Sequence, residues 1–313
     1  MQLTVQQFFD AGKGPLSMEI ECGEEFLGNT FQEFALNRPG LALAGFLKYF
    51  AKRRMQVFGL AELSYLFSLT HEEREKRLKD LFSERIPGLI ITRSRHALPE
   101  MVKLSKQFRI PVLRSPMITG RFINAATVII ENLASPRLRV HGTMVDILGV
   151  GVMIEGDPGI GKSETALTLI ERGHSLIADD ITVLRRTGDN VILGSSVDIT
   201  RYHMEIRGLG IIHVPSLFGV ASMRGETKLD LVVRLQRPDP TIEHDRSGLS
   251  PKTRDIMGVE IPLVTLPVAA GRDLAHVVQV AALNERLKQL GHDAAKELNQ
   301  KLIDRMAERQ NRK

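Results

Sequence analysis

Residues 156–163 read GDPGIGKS. Gly156, Gly161, Lys162 and Ser163 fit the pattern G-x-x-x-x-G-K-[ST], whose chemistry is phosphate binding. Glycines let the backbone curl until its N–H groups point at phosphate oxygens. A helix starting at the end of such a loop adds its positive N-terminal end. Lys162 supplies a cation for terminal phosphates, and the Ser163 hydroxyl suits a Mg²⁺ ion. The whole run Gly156, Asp157, Pro158, Gly159, Ile160, Gly161, Lys162 and Ser163 is thus a candidate nucleotide-binding loop. A second chemical feature comes soon after: the apolar run HSLIADD (174–180) ends in paired carboxylates, Asp179 and Asp180. An acidic residue at a strand end beside a phosphate loop holds Mg²⁺ or its water. Two in a row allow a second role, as a base that accepts a hydroxyl proton. The bland alternative is a hairpin turn, which Asp-Asp also favours.

Both features need a strand–loop–helix setting, and the pattern supplies one. VMI (152–154) reads as a strand, and ETALTLIERG (164–173) as a helix closed by Gly173. MVDILGVGVMIEG (144–156) is strand-rich, as are HSLIADDITVLRR, NVILGSS, GIIHV and LDLVVRL. The carboxylates lie close behind the helix, a compact kinase spacing and not the longer layout of switch GTPases. Two helices are expected to close the chain. The first, 273–291, has Asp273 as N-cap, Gly291 as stop and a stripe of Leu274, Val277, Val278 and Ala281. The second is expected over about 293–308.

Residues 1–130 read as an α/β domain without a chemical motif. Helices are expected at 41–54 (LALAGFLKYFAKRR), at 71–83 as a charged surface helix with Leu78, Leu81 and Phe82 on one side, and at 99–108 from Pro99. Strands at GLIITR (88–93) and IPVLRS (110–115) flank the last helix, which predicts a βαβ unit with a parallel pair. Ser135-Pro136 within ENLASPRLRV (131–140) marks a boundary or linker, giving domains 1–130 and 131–313.

The 313 residues carry a net charge of +5, which suits phosphorylated ligands or an acidic partner as well as a plainly solvated surface. The absence of Trp, and of any helix-turn-helix with a basic recognition helix, weighs against a nucleic-acid partner. Cys22 is the single cysteine, so no internal disulfide forms and a reducing cytosol fits. No signal peptide and no membrane-length apolar run is apparent. The expectation is a cytoplasmic protein that does not meet a membrane.

Three further segments point to one family. RVHGTMVDILGVGVMIEGD leads into the loop, YHMEIRGLGIIHVPSLFG (202–219) comes after the acidic strand, and IPLVTLPVAAGRDLAHVVQVAALN (261–284) precedes the last helices. Together these resemble the HPr kinase/phosphorylase family, strongly over about 137–290. The resemblance implies a P-loop kinase core similar to the nucleotide-binding fold of phosphoenolpyruvate carboxykinase, with a separate α/β N-terminal domain and C-terminal helices. It implies phosphorylation of a serine of HPr, the phosphocarrier of the sugar phosphotransferase system, by ATP with Mg²⁺. It also implies removal of that phosphate by inorganic phosphate with release of pyrophosphate. HPr is then the partner, and a homohexamer the assembly.

Residue by residue, the resemblance makes His141 an active-site histidine, and Lys162 and Ser163 the loop lysine and magnesium ligand. It makes the Asp179-Asp180 pair the catalytic carboxylate, base in one direction and acid in the other. Asp180 is favoured for that role and Asp179 for metal or structural support, although spacing does not separate them. Glu205 matches a second magnesium ligand within the signature Glu205, Ile206, Arg207, Gly208, Leu209 and Gly210. Arg246, in the Pro-, Asp- and Gly-rich run 238–252, matches an active-site arginine. Pro267, Val268, Ala269, Ala270, Gly271 and Arg272 match a loop used mainly for dephosphorylation. Pro158 departs from the family's serine; it removes one N–H and stiffens the loop, which bears on nucleotide affinity. The readings that compete are a P-loop kinase of a small metabolite and a nucleotide-gated regulatory binding protein.

Overall fold

The structure is a computed structural model that describes residues 2–238, 251–269 and 271–310. It divides into two compact units, Met1–Ser135 and Pro136–Lys313.

In the first unit, a five-stranded sheet runs in the order Glu19–Cys22, Val112–Arg114, Leu89–Ile91, Met55–Phe58, Leu36–Asn37. The Leu89–Ile91 and Val112–Arg114 strands pair in parallel around the helix Pro99–Phe108, as the βαβ spacing predicts. The helices lie in two layers. One face of the sheet packs Leu63, Leu66, Leu78, Leu81, Phe82 and Met101; the other packs Phe8, Phe9, Phe122 and Ala126. His71–Ser83 is helical over the expected residues because Thr70 and Glu73 form a reciprocal capping box at its start. The segment 41–54 departs from expectation: only Gly40–Leu43 is helical. Gly45 takes φ +103 against the Arg77 side chain, which ends the turn, and Leu41 and Tyr49 face solvent at 72% and 80% exposure. Leu43, Leu47 and Phe50 still reach the core, but through a chain reversed at Gly45, so their burial does not need one continuous helix. The two units divide at Ser135/Pro136, inside the run 131–140. The helix Thr119–Ala134 reaches into it, and the strand Arg137–His141 leaves it.

Among the described residues, the second unit is built on a nine-stranded mixed sheet. Its main path is Ser175–Ala178, Thr143–Ile147, Val150–Glu155, Glu226–Gln236, Ile192–Ser196, Ile181–Arg186, Arg137–His141. The long Glu226–Gln236 strand is the spine. Its second half lies parallel to Val150–Glu155 on one side and to Val259–Pro267 on the other. Glu155 is level with Arg234, and Arg234 with Thr265. Three parallel strands therefore end together, and the segments that leave their carboxyl ends start from one edge of the sheet. Ligands of α/β sheets bind at such carboxyl ends.

Val152 and Ile154 face a core shared with the helices Lys162–Glu171 and Leu274–Gln289; Met153 faces the opposite core with Ile177 and Leu184. Each such buried side chain contributes about 2 kcal/mol. Asp273 caps the helix Leu274–Gln289 through the His276 N–H, as expected, and Gly291 at φ +93 lies just past its end. The inward stripe is turned slightly from the one read off the sequence. Ala275, Val278 and Ala282 are fully covered, while Leu274, Val277 and Ala281 pack at its margin. No helix among the described residues is long and apolar enough to cross a membrane.

Gly151 lies where the register between Val150–Glu155 and the spine slips, and a Cβ there would overlap the Lys228 carbonyl oxygen. Gly151→Ala should destabilise the second unit by about 3 kcal/mol, read by urea unfolding. Unchanged stability would show that the strands separate freely at the slip.

Candidate active site

The loop 156–163 leaves the strand Val150–Glu155 and enters the helix Lys162–Glu171, the setting the motif requires. Gly159 and Gly161 sit at φ +76 and +103, where a side chain is strained, so glycine is a geometric need here. The Ile160 N–H donates to the Asp157 carbonyl at 3.2 Å. With Gly159 third in that four-residue turn at positive φ, the turn is type II, and Pro158 occupies the position whose φ proline pre-sets. The missing N–H of Pro158 thus comes with a stiffened turn. Lys162 is folded back: its Nζ donates to the carbonyls of Gly156 and Asp157 at 3.0 and 3.1 Å.

The two carboxylates of the acidic turn occupy opposite environments. Asp179 is buried, at the end of the apolar strand Ser175–Ala178. Its Oδ1 accepts from Thr143 Oγ1 at 2.8 Å and from Ser163 Oγ at 3.0 Å; its Oδ2 lies 3.4 Å from the Glu205 N–H. Burial pushes its pKa up, and the donated hydrogen bonds offset only part of that rise. Asp180 takes φ +60, a region aspartate enters more readily than most residues. That reversal turns its side chain outward, to 79% exposure. Its Oδ1 lies 3.9 Å from His141 Nδ1, which is itself 85% exposed. The pair is held by the sheet: His141 is level with Ile181, and the Gly142 N–H donates to the Asp180 carbonyl at 2.9 Å.

Glu205 and its neighbours form a small hairpin, His203–Ile206 against Gly210–His213. Gly208 at φ +81 makes the tip, and the Leu209 N–H donates to the Ile206 carbonyl. Arg207 reaches from this tip to the phosphate loop. A Cβ on Gly159 would lie 2.8 Å from both terminal nitrogens of the Arg207 guanidinium. Leu209 and Ile211 are 70% and 75% exposed. After Pro267, the Val268 N–H donates to the Gln236 carbonyl at 2.8 Å, and the Arg272 N–H to the Ala269 carbonyl at 3.2 Å. Arg246 and Ala270 lie outside the described residues.

The structure thus brings together Lys162, Ser163, Asp179 and the Glu205 backbone, and, on the exposed side of the same turn, His141 and Asp180. Sequence reasoning missed Thr143 as a partner of Asp179, the Arg207–Gly159 contact, and Glu155, the buried acid preceding the loop. The TMV run around Thr143 reads as plain strand; a lone hydroxyl in it carries no signal without the three-dimensional neighbour.

Comparison with known proteins gives a consistent picture. Residues 131–302 match the family model described as HPr Serine kinase C-terminal domain, and residues 3–130 the one described as HPr Serine kinase N terminus. A protein named HPr kinase/phosphorylase from Brevibacillus brevis is 41% identical over 285 residues, 91% of this chain and 92% of that protein. One of the same name from Geobacillus kaustophilus is 40% identical over 287 residues, 92% of each chain. A solved structure of the Hpr(Ser) kinase/phosphatase from Coxiella burnetii is 33% identical, with a TM-score of 0.47, and covers 51% of this chain and 98% of that one.

Two outcomes are expected. A pKa raised on folding means that folded Asp179 keeps a proton which the unfolded chain, at the ordinary aspartate value of 3.8, has released. Its contribution to stability is present below that value and lost as pH rises through the raised pKa. Asp179→Asn does not titrate, so its stability relative to wild type should climb over that window; unfolding curves at several pH values that run parallel would contradict this. Pro158→Ser should lower stability by about 0.5–1 kcal/mol by loosening the unfolded chain, read in the same assay. No loss would mean that the turn is not held in the conformation proline favours.

Proposed function

The chain belongs to the HPr kinase/phosphorylase family, and from that premise we propose that it phosphorylates a serine of the phosphocarrier protein HPr with ATP and removes that phosphate at the same site. It is a phosphotransferase with a protein acceptor. The observation that carries the reading is the split acidic turn. One carboxylate is buried and bonded to the loop serine; its neighbour is exposed and faces solvent beside a histidine.

ATP lies with its phosphates along Gly156 to Ser163. Lys162 exchanges its two loop carbonyls for terminal phosphate oxygens, a short swing for a flexible amine. The oxygens of Ser163 and Asp179 form a hard donor pair that suits Mg²⁺, which keeps few protein ligands and takes phosphate oxygens as well; Glu205, whose backbone N–H meets Asp179, is proposed as a further ligand. Such an ion, when bound, offsets negative charge on the β- and γ-phosphates. Arg207, against Gly159, adds a cation over the loop, and Arg246 is proposed as another from the 238–252 run.

The HPr serine approaches from the solvent side, where Asp180 is free to meet it. Asp180 takes the hydroxyl proton as serine Oγ bonds to the γ-phosphorus and the bond to the ADP oxygen breaks. In the opposite reaction an oxygen of inorganic phosphate, held in the same loop, attacks the phosphoserine phosphorus. Serine Oγ leaves, takes the proton back from Asp180, and pyrophosphate departs. His141 orients the phosphoryl group or the Asp180 carboxylate. The 267–272 loop, which follows the strand paired with the spine, is proposed for the second reaction. Exposed Leu209 and Ile211 offer apolar contact to a protein acceptor. A role in regulating sugar uptake and carbon metabolism, a homohexameric assembly and a cytoplasmic location complete the proposal.

Asp180→Asn is the test. With HPr, Mg-ATP and the variant, the mass gain on an HPr serine should slow by about 10²–10⁴-fold, and dephosphorylation by a similar factor, while ATP binding stays at the wild-type level. A wild-type protein that binds ATP yet adds no mass to HPr would overturn the acceptor. Loss of ATP binding together with activity in Asp180→Asn would move that residue to metal holding.

A further inference from the structure

Glu155 is the last residue of the strand that runs into the phosphate loop, one position before Gly156. Strand alternation places it on the face of Met153, away from the loop helix. It is 8% exposed, and a carboxylate so buried is tolerated only when paired. Two arginines pair with it. Arg234, directly across the parallel ladder, donates to Glu155 Oε1 from Nε at 2.8 Å and from an Nη at 2.6 Å. Arg254 contacts the other oxygen, Oε2.

The chain positions of these arginines give the cluster its interest. Arg234 lies near the end of the spine strand, Arg254 in the strand Lys252–Ile256, which then turns back along Val259–Pro267. One carboxylate therefore ties the loop strand to the spine strand, which ends at Gln236, and to the strand that starts at Lys252. Val259–Pro267 in turn leads to residues 267–272. Glu155 touches neither nucleotide nor acceptor in the proposed reaction. The carbonyls that hold Lys162, on Gly156 and Asp157, come directly after it in the chain.

We propose that Glu155 is a positioning residue for phosphoryl transfer. By binding Arg234 and Arg254 together it fixes the root of the phosphate loop relative to the strand ends around it, so that loop N–H groups and Lys162 meet the nucleotide phosphates in register. The proposal rests on the nucleotide-binding half of the reading above and is independent of which acceptor is used.

The experiment compares wild type with Glu155→Gln, Glu155→Asp and Arg254→Gln in the full-length chain, by equilibrium binding of Mg-ATP, by the KM and kcat of transfer to HPr, and by thermal unfolding. Glu155→Gln should weaken ATP binding and raise the KM for ATP by about 10–100-fold, because small displacements near a reacting group carry penalties of that size. The KM for HPr should stay within about two-fold, since in the proposed reaction the acceptor meets Asp180 and not this cluster. Glu155→Asp should recover part of the loss. Should Glu155→Gln fail to fold, Arg254→Gln, which leaves the Arg234 pair intact, should still show the same selective rise in the KM for ATP. A lowered melting temperature with unchanged ATP binding in the folded variants would overturn the proposal and leave a purely structural ion cluster. A wild-type chain that binds ATP but ignores HPr would sink the acceptor assignment while leaving the comparison of ATP binding intact.

Discussion

The active region depends on one buried carboxylate. Asp179 gathers donors from three separate pieces of chain: Thr143 on a core strand, Ser163 on the loop helix, and the Glu205 N–H on the signature hairpin. None of these pieces is a sequence neighbour of another, and each alone leaves a polar group unpaired. Burial raises the Asp179 pKa more than these hydrogen bonds lower it. In the proposed reaction a cation would sit by this interior carboxylate, and phosphate by the loop N–H groups, Lys162 and Arg207.

Division of labour between two adjacent identical residues comes from backbone geometry. A regular strand would already send consecutive side chains to opposite faces. The left-handed turn at Asp180 does more: it ends the strand, redirects the chain into the Ile181–Arg186 ladder beside His141, and leaves one carboxylate in solvent. A proton carrier for a large acceptor has to be reachable from outside; a metal or loop support has to be held from within. Asp180 and Asp179 differ in just this respect, which supports their separate roles without requiring any motion of the sheet.

Much of this architecture is legible in the sequence, and the limits have physical causes. The helices at 71–83 and 99–108 can be read because caps and prolines are local signals. The phosphate loop can be read because its glycines answer to local backbone need. The segment 41–54 misleads because Leu43, Leu47 and Phe50 reach the core through a chain reversed at Gly45, a break that the apolar spacing does not reveal. Thr143, Glu155 and the Arg207–Gly159 contact are hidden for a different reason. Their significance is a neighbour far away in the chain: a hydroxyl and an acid inside strands look ordinary until a carboxylate or two arginines are placed beside them. Pro158 is an intermediate case. Its lost N–H is visible in the sequence, but the turn that makes it fitting requires the positive φ of Gly159.

In the proposed mechanism one loop holds ATP's phosphates in one direction and inorganic phosphate, as the attacking group, in the other. A decisive assay dephosphorylates serine-phosphorylated HPr in ¹⁸O-enriched water with unlabelled inorganic phosphate, then weighs the phosphate products. A shared loop requires that removal depend on inorganic phosphate and yield pyrophosphate free of ¹⁸O. Release of ¹⁸O-containing inorganic phosphate, at a rate indifferent to added phosphate, would make water the nucleophile and contradict the shared loop.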